Sequence, residues 1–222
     1  MDLNLNYQIS VFGDFGNIAV STETMIALES ALQEYDFVPS TFLEDNASIQ
    51  QSSVRPMLES VGGEWKVLLY RKRIDVIQNS RETNKDVFKE RAMHILQHVM
   101  NIYGLTANGL ALNVTCSKQG AGSNVYTKFV IPTPYYKENE PSEWTLNSSA
   151  QAIWNLAGAS TQINVVTVLN RDYDDLKIQL YMNTVPNVSR QFDLEAMDGF
   201  LIQALSAGEM LLADLQSGGK LD

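Results

Sequence analysis

This chain is short of cysteine, of histidine and of positive charge, and each shortage closes off a class of function. Cys116 is the only cysteine among 222 residues, so no disulfide can form within the chain. It falls in the apolar run Leu110 to Cys116, where a thiol acts as a small buried hydrophobe and not as a nucleophile. Lysine and arginine number 16 against 26 acidic residues, giving a formal charge of −10 and a pI near 4.6. A surface of that sign repels phosphate backbones, so nucleic acid is not an expected partner. The one basic cluster, Lys66, Arg71, Lys72 and Arg73, lies between two strand-like runs and reads as a solvated turn. No apolar run approaches the roughly 20 residues that cross a bilayer. The start of the chain shows no positive region followed by an apolar core, the pattern of a secretory signal. A cytoplasmic protein without membrane contact is expected, and the sequons at Asn46, Asn113, Asn147 and Asn187 then carry little weight.

What is present is an ordinary globular composition, 45% hydrophobic and 19% charged, enough to build a core without disulfides or metals. Leu3 to Phe12 alternates, with Leu3, Leu5, Tyr7, Ile9 and Val11 on one face, and predicts a half-buried strand. Ser21 or Thr22 caps a helix expected to run to Tyr35. Phe37 to Leu43, Ser53 to Val61, Glu64 to Tyr70 and Ile74 to Gln78 read as antiparallel strands. Asn84 to Tyr103 is the clearest helix, with Phe88, Ala92, Ile95, Leu96 and Val99 on one face and Gly104 ending it. Leu110 to Cys116 is a strand, and Val125 to Ile131 is expected to return from it across the polar loop Ser117 to Asn124. A short helix is expected over Ser148 to Leu156 and a strand pair at Ile163 to Leu169 and Leu176 to Met182. The last helix starts near Asp193 and stops at Gly218-Gly219.

Strands grouped in runs point to an α+β fold, with mostly antiparallel sheet packed by three main helices. Pro132, Pro134 and Pro141 frame a charged stretch, so one division gives residues 1–131, a connection 132–144 and residues 145–222. A single domain over 1–222 fits the same pattern.

Chemistry-bearing motifs are scarce. His94 and His98, the two histidines, stand four apart on a helix and could chelate a metal, but the glutamate of a zinc-protease helix is missing between them. A solvated helix surface is the plainer reading, and no metal or other cofactor is expected. Gly120-Ala121-Gly122 is followed by no Walker lysine, and the run from Val125 to Phe129 is expected to be strand and not helix, so the segment reads as a turn. Asp172, Asp174 and Asp175 lack the glycine of a calcium loop, because Lys177 holds its sixth position. No Gly-x-Ser-x-Gly elbow occurs.

Two places suit a protein partner or a second copy of the chain. One is the aromatic group around the prolines, with Tyr135, Tyr136 and Trp144; the other is the terminal leucine-rich helix, with Phe200 and Leu211. The middle hairpin Trp65-Lys66-Val67-Leu68-Leu69-Tyr70 before Ile74-Asp75-Val76-Ile77, with an early strand and helix and two late strands before a long final helix, resembles a sporadically distributed bacterial family of uncharacterised proteins. That resemblance rests on pattern, departs in lacking a Pro-Pro start, and implies no catalytic residues. The expected role is a non-enzymatic binding or assembly module forming protein–protein contacts. The alternatives are an enzyme whose site gathers dispersed polar residues, and an accessory protein of a mobile element or host defence system.

Overall fold

Residues 4–46, 51–79, 84–120, 125–139, 141–186 and 190–217 are described by a computed structural model. The first strand sets the pattern for the rest. In β1 (Asn4–Phe12), Tyr7, Ile9 and Val11 are buried on one side, and Gln8, Ser10 and Phe12 project from the other. The same alternation recurs in β4 (Trp65–Leu69), β6 (Gly109–Lys118) and β9 (Asp175–Thr184), between β2 (Phe37–Asn46), β3 (Gln51–Ser60), β5 (Arg73–Gln78), β7 (Glu143–Leu156) and β8 (Ala159–Asp172). Among the described residues, the nine strands form one antiparallel sheet in the order β2-β3-β4-β5-β1-β6-β9-β8-β7. The fold is therefore α+β. The sheet runs unbroken past both ends of the proline-bearing stretch 132–144, because β6 pairs with β1 on one side and β9 on the other.

Helices α1 (Thr22–Ala31), α2 (Lys85–Tyr103) and α5 (Leu194–Ser217) cover one face of the sheet. Ser21 caps α1 by accepting from the Thr24 amide, Asn84 caps α2 at the Asp86 and Val87 amides, and Asp193 caps α5 at the Ala196 amide. Gly104 closes α2 in the left-handed region, at φ 61°. The Phe88 ring of α2 stacks between Tyr7 at 5.0 Å and Trp65 at 5.8 Å, locking the helix over β1 and β4. Helix α5 lies on β6 and β7, with Gly208 facing Met182, Val114 and Leu180.

Two expected elements differ. Val125–Phe129 is a short helix, α3, and not the return arm of a hairpin. Tyr126 and Phe129, three residues apart, both reach Trp144, which a helix allows and an alternating strand does not. The helix expected over Ser148 to Leu156 is instead the second half of β7. Its alanines and glutamine favour a helix locally, yet pairing with β8 along its whole length overrides that preference. Helix α1 also stops at Ala31, followed by one 3-10 turn, Gln33–Tyr35. The stop at Gly218-Gly219, the Asn187 sequon and residues 121–124 of the polar loop lie outside the described residues.

Gly199 and Gly208 are interior positions of α5; an added Cβ at Gly199 meets nothing within 4 Å, and one at Gly208 meets ordinary contacts at 3.6–3.9 Å. Gly199→Ala and Gly208→Ala should each stabilise the fold by about 0.5–1 kcal/mol, measured as a rise in the urea midpoint at unchanged slope.

Candidate functional site: the open face of the sheet

The three substantial helices lie on one side, so the side chains alternating with the core residues form an open face. Strand register arranges its centre in rows. Gln8, Asn113 and Tyr181 form one row; Asp75, Ser10, Ala111 and Asn183 form the next; Phe12 and Gly109 form a third. Gly109 and Ala111 are the small members, and the sheet is hollow over them. The resulting concavity has a volume of about 540 Å³, and Phe12, Tyr181 and Pro186 are among its walls. At Gly109 a Cβ would lie 3.3 Å from that of Phe12, so the close fit of this row depends on glycine.

The polar groups on this face are connected. Gln8 donates to Ser10 Oγ at 3.2 Å, and the Ser10 hydroxyl donates to Asp75 Oδ1 at 2.7 Å. Arg73 Nε lies 3.0 Å from the same carboxylate oxygen, and its guanidinium covers the Tyr70 ring. Asp75 is buried, 1% exposed. Burial raises its pKa above the ordinary 3.8, while the Ser10 hydrogen bond and the Arg73 charge pull the other way and do not overcome it. Both histidines are on α2, behind the sheet, so Ser10 and Asp75 have no imidazole to complete a nucleophilic triad. Rim amides from Gln8, Asn113 and Asn183 can each donate and accept. The arrangement can therefore hold an apolar group and hydrogen-bond what surrounds it.

No family model and no curated protein matches the chain. Among solved structures, it is similar to the crystal structure of the di-domain ARO/CYC StfQ from the steffimycin biosynthetic pathway, at 8% identity and a TM-score of 0.22, covering 97% of each chain. A likeness at that score carries no argument about fold, ligand or reaction.

The candidate site residues singled out in the sequence all lie among the described residues. His94 and His98 meet on α2 with their Nε2 atoms 2.9 Å apart, and His94 Nδ1 lies 2.6 Å from the Tyr35 hydroxyl and 3.0 Å from Glu34. Among the described residues, no group of three histidine, cysteine or carboxylate side chains is placed to hold a metal. Tyr135 and Tyr136, on α4 (Pro134–Glu138), are exposed and touch edge to face at 5.4 Å. Tyr126 joins Tyr136 to the half-buried Trp144, so these aromatics do gather at one end of the sheet. Phe200 is buried against Trp154 at 5.8 Å, inside the chain's own core, and Leu211 is half-buried beside that core. Burial pushes the Cys116 thiol up to about 12, so it stays protonated and unreactive at neutral pH. Among the described residues, no helix is long and apolar enough to cross a membrane.

Gln8, Ser10, Asp75, Asn113, Tyr181 and Asn183 did not stand out in the sequence. Alternation marks them as facing away from the core, but only the strand order makes them neighbours. Because the Asp75 pKa is raised in the folded state, folding favours its neutral form relative to the unfolded chain. Its stabilising contribution is complete below the unfolded value of 3.8 and is lost as pH rises through the folded value. Asp75→Asn, neutral at every pH and still able to accept from Ser10, should gain stability relative to the parent as pH rises from about 4 through the folded value. Urea unfolding at a series of pH values reads that difference.

Proposed function

We propose that the protein is a non-enzymatic binding module, and that the concavity on its open sheet face receives an apolar side chain of a protein partner. The observation that carries this reading is the hollow over Gly109 and Ala111, with apolar walls and an uncharged amide rim. Its volume lies within the range of about 300–1,000 Å³ typical of ligand sites. Neutral amides match the N–H and C=O groups of a peptide better than they match a phosphate or a carboxylate. Tyr135 and Tyr136, exposed beside the half-buried Trp144, supply a second contact surface of the residue types that anchor interfaces.

The alternative of an enzyme with dispersed polar residues has one observation in its favour. Asp75, a buried carboxylate with a raised pKa, backs onto the concavity through Ser10. It would have to act without a neighbouring imidazole or free nucleophile.

Ala111→Phe fills the hollow from its floor and tests the binding reading. An environment-sensitive naphthalene dye should bind the parent protein saturably, and display-selected peptides should compete with it. The variant should bind dye at least tenfold more weakly with an unchanged circular dichroism spectrum and thermal midpoint. Equal dye binding by parent and variant would remove the concavity as the site.

A further inference from the structure

We propose that the outer edge of β7 is a self-association surface, on which β7 of a second copy pairs antiparallel and doubles the nine-stranded sheet. This surface is separate from the concavity and does not depend on it.

The sheet has two edges, β2 and β7, and they are built differently. An edge strand directs alternate N–H and C=O groups outward, and stable monomers blunt such edges with charge, proline or a covering element. Strand β2 has two of these: Pro39 removes a donor, and Glu44 and Asp45 bring charge. Strand β7 is 14 residues long and has a single charged residue, Glu143, at its first position, with no lysine, arginine or proline. In a chain of charge −10 this is an unusually neutral edge. Residues 147–151 are exposed on both faces, so no helix covers the middle of the strand. The helical layer reaches the β7 backbone near its far end, where Gln203 Nε2 donates to the Asn155 carbonyl.

The strand is also complementary to itself. An antiparallel pairing about a two-fold axis at Ala150 sets Leu146 opposite Trp154 and Ser148 opposite Ala152 on the helix face. On the other face it sets Asn147 opposite Ile153 and Ser149 opposite Gln151. Large residues meet at the flanks, small ones meet at the axis, and Glu143 falls beyond the paired segment. This register keeps the helices of both copies on one side, because residues facing each other share a sheet face. The two copies repel through their net charge, so salt should strengthen the pairing.

Sedimentation equilibrium on the full chain tests the proposal. The parent should show a monomer–dimer equilibrium that shifts towards dimer with ionic strength. Ala150 is exposed and faces its own copy, so Ala150→Lys and Ala150→Glu should each weaken the dimer at least tenfold with unchanged circular dichroism. An equimolar mixture of the two should form heterodimers that neither variant forms alone. A parent that stays monomeric at high concentration would overturn the proposal, as would an Ala150→Lys variant that dimerises like the parent. Failure of the two variants to associate with each other would do the same.

Discussion

Strand β1 hydrogen-bonds to β5 along one side and to β6 along the other, and in doing so joins the early strands to the late ones. Its register therefore carries more than its own stability. Tyr7, Ile9 and Val11 face the helices and Gln8, Ser10 and Phe12 the open side, so a slip of one residue would exchange the two sets. Phe88 would lose the Tyr7 ring it stacks on, and polar groups would enter the core. The concavity depends on the same register, because it places Ser10 beside both Asp75 and Ala111.

Covering the sheet on one face also shapes its electrostatics. Asp75 lies on the open face and is still buried, held there by Ser10 and Arg73. Arg55 is buried at the other end of this region, donating to the Phe15 and Leu69 carbonyls with Glu44 at 3.4 Å. Each charge is tied to a partner, as removal from water requires. Burial lowers the Arg55 pKa and Glu44 opposes that shift, while the two carbonyl bonds tie the loop after β1 to β3 and β4 without leaving a bare charge. Arg91 is held differently, with its guanidinium 4.5 Å from the Tyr35 ring centre and 4.9 Å from that of Trp65.

Much of the fold was legible residue by residue. The caps at Ser21, Asn84 and Asp193, the stripe on α2 and the alternation in β1, β4, β6 and β9 all follow from local chemistry. The two misread segments share a cause. Val125–Phe129 is rich in strand-favouring residues and Ser148–Leu156 contains helix-favouring ones, and in both the environment outweighed the preference. Trp144 gave the first a helical partner, and β8 gave the second a ladder to complete.

By itself the sequence determined the local units: which residues face inward, where the three main helices begin, and that the single thiol falls in an apolar strand. These depend on side-chain type and short-range spacing, which a linear reading contains. Tertiary structure alone decided that β1 sits between β5 and β6, and hence that Gln8, Ser10, Asp75, Asn113 and Tyr181 meet around one hollow. It also decided that β7 lies at an edge of the sheet while Phe200 turns inward. Strand order is a relation between residues far apart in the chain, and neither alternation nor composition encodes which strands become neighbours.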